Sequence, residues 1–300
     1  MVMKIDLPAG KYVLAVSGGV DSMVLLYLAH SLPKESGQDY VVAHVNHGIR
    51  EDSIEDERLV SKVAEQYGMT FTSVKLSLGE KVSEAEARKR RYDFLFKTKA
   101  MHQADSVVTA HHQDDLIETA FINIKRGTNR RGLTAILNNP NVIRPLTSYS
   151  KKEIIDFAVS NNIIWREDHT NSSDKYLRNR IRHTVVPRMS DEDRVGLIDL
   201  INDQDSLNKD IDAILKSIFQ LKVIDNSIPR LWFSSLDNSL AKEVLAFWLR
   251  QNGVNDFDAM SLTRLVTLCR VSMVNSYVDA LKGWQIYADK DKLALVRHER

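Results

Sequence analysis

Ser17-Gly18-Gly19-Val20-Asp21-Ser22 decides how the chain around it folds. A short apolar run, Tyr12-Val13-Leu14-Ala15-Val16, precedes it, and a longer one, Met23-Val24-Leu25-Leu26-Tyr27-Leu28-Ala29, follows. The first run carries two Val and a Tyr and stops near glycine, the pattern of a buried strand. The second, extending to about Leu32, holds few β-branched residues and reads as a helix. The six residues between them are therefore a strand-to-helix turn. A helix entrance offers unpaired N–H groups and the positive end of its dipole, so an anion is stable there. Gly18 and Gly19 allow positive φ and close approach of a ligand to the backbone, while Ser17 and Ser22 add hydroxyls. Asp21 would repel a bare phosphate; its charge suits a divalent cation or a backbone cap. The lysine of G-x-x-x-x-G-K-[ST] is missing, and so is the three-glycine spacing of dinucleotide loops.

Outward from this turn, strand and helix patterns alternate. Strands are predicted over 40–45, 70–74, 105–110 and 142–145, and helices over about 52–67, 83–102, 114–125 and 149–161. Ser83 with Glu86 forms a capping-box pattern, and Gly68 closes the helix before it. Such alternation implies a parallel, doubly wound sheet, in which ligands bind beyond the carboxyl ends of the strands. The loops starting at Ser17, Asn46 and His111 all fall at that end. In Ala110-His111-His112-Gln113-Asp114-Asp115-Leu116-Ile117-Glu118-Thr119, one helix face can present His111, Asp115 and Glu118. Acidic residues at a helix start are explained by the dipole alone, but the histidine pair is not. A histidine beside a carboxylate can orient a nucleophile or gain basicity.

With 300 residues, 43% hydrophobic and 27% charged, the chain has the composition of a soluble globular protein of one large or two ordinary domains. Its net charge of +1 excludes a global field for nucleic acid, so local asymmetry must supply one. No apolar run reaches membrane-span length and no signal-peptide core opens the chain, so a cytoplasmic protein without membrane contact is expected. Cys269 is the single cysteine, which excludes chemistry needing a cysteine pair within this chain. Basic residues do cluster. Residues 121–152 carry seven Lys or Arg and no acid, centred on Lys125-Arg126-Gly127-Thr128-Asn129-Arg130-Arg131-Gly132-Leu133. Arg88-Lys89-Arg90-Arg91 and Arg178, Arg180 and Arg182 add two more groups. Three clusters in a near-neutral chain imply a segregated positive surface suited to phosphates.

After Pro187 an acidic stretch, 191–212, marks a boundary and opens a long amphipathic connecting helix to about Leu221. Leu231-Trp232-Phe233 reads as a strand, 239–252 and 262–270 as helices, and 284–287 with 293–296 as a hairpin. Trp232, Trp248 and Trp284 are expected in a small α+β core rather than as base-stacking platforms. The predicted boundaries are 1–188, a helical linker 189–222, and 223–300.

S-G-G-V-D-S at 17–22 resembles the pyrophosphate loop of the PP-loop ATPase superfamily. The ordered pieces H-V-N-H-G-I-R at 44–50, E-A-R-K-R-R-Y at 86–92 and A-H-H-Q-D-D-L-I-E-T at 110–119 narrow the likeness. So do K-R-G-T-N-R-R-G-L at 125–133, R-P-L at 144–146, E-D-H-T-N at 167–171 and R-N-R-I-R-H at 178–183. Together they resemble the tRNA(Ile)-lysidine synthetase branch, in its shorter form. The resemblance implies a Rossmann-like PP-loop domain that uses ATP and Mg²⁺ to adenylate the wobble cytidine of a CAU-anticodon tRNA(Ile) and then joins free L-lysine to it. It implies that Ser17, Gly18, Gly19, Val20, Asp21, Ser22 and Asn46 hold the nucleotide, with Asp21 on the metal. His111, Asp115, Arg178 and Arg182 would serve the chemistry, and Arg88, Arg91, Arg126, Arg130 and Arg131 the RNA. A homodimer is compatible with the sequence. The family usually has glycine where Asn129 stands, a residue that tolerates the left-handed region. The rival readings are a tRNA thiolase, which relies on paired cysteines, an ammonia-dependent amidating ligase, which has no use for the basic clusters, and a nucleotide-binding module without chemistry.

Overall fold

The computed structural model describes residues 2–46, 53–76, 82–128, 130–167, 177–255, 257–281 and 283–297. The family-like stretches at 47–50 and 168–171, and Asn129, lie outside them. In chain order the elements are β1 (Gly10–Ala15), α1 (Val20–His30), β2 (Gln38–Asn46), α2 (Ser53–Gln66), β3 (Thr70–Lys75), α3 (Glu84–Met101), β4 (Ser106–Thr109) and α4 (Gln113–Lys125). Then come α5 (Arg130–Leu133), β5 (Val142–Ile143), α6 (Lys151–Ser160), α7 (Leu177–Thr184), α8 (Asp191–Lys222), β6 (Ser227–Pro229) and α9 (Arg230–Ser235). The last are α10 (Asn238–Gln251), α11 (Ala259–Val271), β7 (Ser276–Leu281), β8 (Trp284–Ala288) and β9 (Lys292–Arg297).

The chain divides into two compact units, one of residues 1–122 and 134–199, the other of 123–133 and 200–300. The first holds a five-stranded, wholly parallel sheet in the order β3-β2-β1-β4-β5. Its central strands β1, β2 and β4 are buried on both faces, and the period of two sorts them. Leu14, Val42 and Val108 pack with α1 and α6 residues such as Met23, Leu25, Ile154 and Phe157. Val13, Val41 and Val107 face the other way, onto Leu95 of α3. Eight of the eleven residues of α1 are buried, so its apolar sequence has no polar face to show. Strand order reverses direction at β1, between β2 and β4, and that places the crevice at the carboxyl ends of these three strands.

The second unit carries an antiparallel sheet, β6-β9-β8-β7, packed with α10 and α11. Trp248 and Phe233 are fully enclosed, and Trp248 Nε1 donates to the Asn226 carbonyl at 3.1 Å. Trp232 and Trp284 pack on the same core, as the sequence implied. Asp237 and Asp258 cap α10 and α11. The expected strand at Leu231-Trp232-Phe233 is instead helix α9, the strand being the preceding Ser227–Pro229. Three apolar residues cannot distinguish a period of 2 from 3.6, and Pro229 stands at the helix start, where its fixed φ fits. Residues 123–133 group with the second unit, and the division at 199/200 falls within α8. Among the described residues no helix is long and apolar enough to cross a membrane.

Candidate active site in the parallel unit

β1 delivers the Ser17–Ser22 turn to the crevice, and buried groups brace it from below. Val16 N–H donates to Ala43 O at 3.0 Å, and the buried His44 ring contacts Val16 O at 2.9 Å through Nδ1. Burial lowers the His44 pKa, so the ring is a neutral brace and not a ligand contact. Ser22 Oγ sits at the centre of the turn. It accepts from Ser17 N–H at 3.1 Å and Gly18 N–H at 3.2 Å, and donates to Gly19 O at 2.9 Å. Gly18 has φ +94°, a conformation that calls for glycine, while a Cβ there would make only an ordinary 3.4 Å contact with Asp56. Gly19 is the N-cap of α1 and supplies no capping side chain. The first-turn N–H groups of α1 therefore face the crevice without a side-chain acceptor, which fits an anionic ligand.

Beside this turn lies an open cavity of about 190 Å³, lined among others by Ser17, Asp21, Ser22, Arg91, Tyr92 and His111. The Val20 side chain is buried in the core under the turn and fixes the loop, leaving its backbone N–H at the helix entrance. Asn46 does not line the cavity. Its side chain is buried and its amide donates to Glu57 at 3.3 Å, in a network that Ser73 completes at 2.5 Å. The Asn46 side chain, expected at the nucleotide, here ties β2 to α2 through that carboxylate.

The histidine pair divides its work. His111 lines the cavity, and its Nδ1 is 2.7 Å from Thr109 Oγ1. Burial pushes its pKa down to about 3, with the charges of Arg144, Arg88 and Arg91 acting in the same sense and Asp115 against it. His111 is therefore neutral across working pH. His112 turns inward: Nε2 lies 3.7 Å from Asp21 Oδ2 and 3.6 Å from Asp115 Oδ2, and its buried Nδ1 has no hydrogen-bond partner among the described residues. Sequence reasoning chose His111 of the two, and only the loop's direction into α4 could have revealed His112 as the link to Asp21.

Asp115 also accepts from its own helix entrance, His112 N–H, at 3.0 Å. Burial works against its charge, but the neighbouring histidines, that bond and Arg182 outweigh burial and hold its pKa below the ordinary value. Asp114 faces elsewhere, onto Arg194 at 2.5 Å. Glu118, one turn on, has no solvent exposure. Arg182 grips it with two bonds, Nε–Oε1 2.6 Å and Nη2–Oε2 2.9 Å, and reaches Asp115 at 3.5 Å; Arg178 lies 3.8 Å from the same carboxylate. Burial opposes the Arg182 charge, yet the Glu118 bonds and nearby carboxylates raise its pKa. The structure thus brings Asp21, His112, Asp115, Glu118 and Arg182 into one chain of contacts, with Glu118 as the anchor.

The arginines read as RNA contacts do not share one environment. Arg88 and Arg91 stack over Tyr92, at 5.0 and 5.6 Å from its ring centre, and Arg91 lines the cavity. Arg126 is exposed at the end of α4. Arg130 and Arg131, in the second unit, are committed inside it. Arg130 bonds Asp212 at 3.0 Å, Glu243 at 2.8 Å and Asn208 at 2.8 Å, and Arg131 also bonds Asp212. Both arginines are expected from the sequence to meet phosphate; here their charge meets the acids of α8 and α10, which the sequence shows only as a distant acidic run.

Residues 2–189 match the model of the PP-loop domain family. The tRNA(Ile)-lysidine synthase of Exiguobacterium sibiricum is 32% identical over 310 aligned residues, covering 99% of this chain and 72% of that protein. The synthases of Enterococcus faecalis and Thermotoga maritima are 37% and 36% identical over 62% of this chain. In those two proteins the match spans only 42% and 47% of their length. Among solved structures, a U34-tRNA thiolase from Methanococcus maripaludis with its [4Fe-4S] cluster superposes with a TM-score of 0.56 at 17% identity, covering 67% of this chain and 73% of that one. That likeness speaks for the fold alone. Near-complete coverage at 32% identity, on a parallel sheet with the pyrophosphate loop at its switch point, has one consequence: the chain belongs to the tRNA(Ile)-lysidine synthase family of PP-loop enzymes.

Proposed function

We propose that this chain joins L-lysine to C2 of the wobble cytidine in a CAU-anticodon tRNA(Ile), at the expense of ATP. The observation that carries the reading is the contact chain from the uncapped α1 entrance through Asp21, His112 and Asp115 to Glu118 and Arg182. In the first step the cytidine O2 attacks the α-phosphorus of ATP, the α–β bond breaks, and pyrophosphate leaves toward the α1 entrance. In the second, the lysine amine attacks C2, the C2–O bond breaks, AMP departs, and the amine gives up a proton. Asp115, held ionised, would align the amine and take up that proton. Neutral His111 offers a hydrogen bond at the cavity wall without adding charge. Arg178 and Arg182 stabilise negative charge as it develops, positioned by Glu118.

Asp21 and Asp115 are hard oxygen donors that both approach His112 Nε2; one or two carboxylates completed by phosphate oxygens and water would suit Mg²⁺, although among the described residues no cluster of three ligands forms a site. Bound there, the ion would neutralise phosphate charge on the leaving group. The target base must leave the anticodon stack to reach the cavity, where the faces of Tyr92 and Arg91 lie. The enzyme would work in the cytoplasm, on tRNA and free lysine. A thiolase reading finds no support in Cys269, which is buried with its thiol pushed up to about 12 by that burial.

Incorporation of radiolabelled lysine into a CAU tRNA(Ile) transcript tests the proposal, with methionine tRNA as the discriminating control. ATP-dependent labelling of the first and not the second is expected. Labelling by ammonia or a sulfur donor in place of lysine would overturn it.

A further inference from the structure

Asp21, assigned above to the metal, already holds a cation. Lys151 Nζ lies 2.6 Å from its Oδ1 and 2.8 Å from its Oδ2, a two-oxygen grip across 130 residues of sequence. Resting on the ATP-dependent reading above, we propose that Lys151 is a displaceable stand-in. It occupies the Asp21 carboxylate before nucleotide binds, and passes to a phosphate oxygen of ATP when a divalent ion takes Asp21.

Three features support this. Lys151 is the first residue of α6, at the positive end of that helix, where a cation is disfavoured. The nearest acid on its own helix is no partner for it, because Glu153 is engaged in the capping box with Ser150, at 2.7 Å to N and 2.8 Å to Oγ. Helix stability therefore does not account for a lysine here, whereas the pyrophosphate loop does. The root of the side chain is rigidly placed: Ile154, Phe157 and Ala158 of α6 lie in the same core as α1, and Tyr27 of α1 meets Phe157 edge-on at 5.9 Å. The head is free to change partner. It is about one-third exposed at the rim of Asp21, and a four-carbon stem reaches several ångströms from a fixed Cα.

The loop's own composition gives this lysine a task. The Ser17–Ser22 turn contains no lysine, so the positive point charge other phosphate loops carry in sequence must come from elsewhere in space. Around Asp21 the described contacts are His112 at 3.7 Å and Lys151, and Lys151 alone among them is a compact ammonium with three donors. The exchange also orders binding. A divalent ion arriving alone must compete with an ammonium already bonded to both oxygens. An ion arriving with ATP meets an ammonium that has phosphate oxygens to move to. The site is thereby kept from loading metal without nucleotide.

Lys151→Gln and Lys151→Arg separate this from a plain salt-bridge strut, with exposed Lys152→Gln as control. Mn²⁺ binding is measured by electron paramagnetic resonance without nucleotide, and binding of α,β-methylene-ATP by calorimetry. Lys151→Gln is expected to tighten Mn²⁺ binding and to weaken nucleotide binding, each by about tenfold. Lys151→Arg should hold the analogue but remain poor in Mn²⁺. Unfolding temperatures without ligand establish that each variant is folded. Lys151→Gln that leaves both affinities at the wild-type value, and only melts earlier, overturns the proposal. Wild-type protein that does not bind the analogue at all would instead overturn the ATP-dependent reading on which it rests.

Discussion

Arginine is fixed in two different ways in the two units. In the parallel unit, Arg182 and Arg178 converge on Glu118, a carboxylate with no exposure, and Arg182 itself reaches on to Asp115 beside the Asp21 loop. In the antiparallel unit, Arg130 and Arg131 are shared between Asp212 and Glu243, both about one-third exposed, and their chain of contacts ends in the helices they join. Arg250 nearby is lowered to about 10, first by burial and then by the charges of Arg131 and Arg130. Identical chemistry thus serves a crevice in one unit and packing in the other. The difference lies in what else the arginine touches.

The largest expected effect lies at the crevice end of the first chain of contacts. Asp21→Ala should reduce tRNA- and lysine-dependent pyrophosphate release by about a thousandfold or more, with an unfolding temperature shifted only slightly. Ordinary turnover would detach the loop from the chemistry. The second unit should answer in stability instead. Arg130→Ala leaves Glu243 and Asp212 without their shared partner and should cost roughly 2 to 4 kcal/mol in denaturant unfolding of that unit. Activity per folded molecule should persist. Loss of tRNA binding in Arg130→Ala without loss of stability would erase the contrast between the two clusters.

A smaller effect concerns pH. His111 titrates near 6.5 when unfolded and at about 3 in the fold, so between these values the unfolded chain binds more protons. Its contribution makes the native state less stable as pH falls from about 6.5 toward 3, and is constant above that window. His44, lowered by burial, acts in the same sense. His111→Asn should flatten the fall of unfolding temperature with acid by a few degrees. A steeper fall in the variant would mean that the ring is charged in the native protein.

The parallel sheet was legible because short apolar strands alternate with longer helices, several of the joins being marked by Gly. The pyrophosphate turn was legible because backbone conformation and chemistry are both local to six residues. What escaped depended on distance. Nothing in S-Y-S-K-K-E says that Lys151 and not Lys152 reaches back 130 residues to Asp21. Nothing near Asn46 announces that Glu57 will take its amide. The basic run at 125–133 and the acidic run at 191–212 were both visible as charge, but their mutual neutralisation through Arg130, Arg131 and Asp212 is a property of the fold. A short strand lost to helix α9 shows the same limit at small scale, since three residues carry no period.

Arg126 gives the finest measure of the contrast. It stands exposed in the turn after α4, with neither the deep carboxylate that holds Arg182 nor the acidic pair that holds Arg130. An exposed arginine keeps its charge for whatever binds, and a phosphate contact releases about one counterion. Arg126→Ala should therefore weaken tRNA binding modestly at low salt and lower the slope of log K against log salt by about 1, with unfolding unchanged. Arg130→Ala, compared at a temperature where it remains folded, should leave that slope where it was. A slope lowered by Arg130→Ala and untouched by Arg126→Ala would assign the RNA to the buried cluster, and the acids of α8 and α10 would then have to release their arginines on binding.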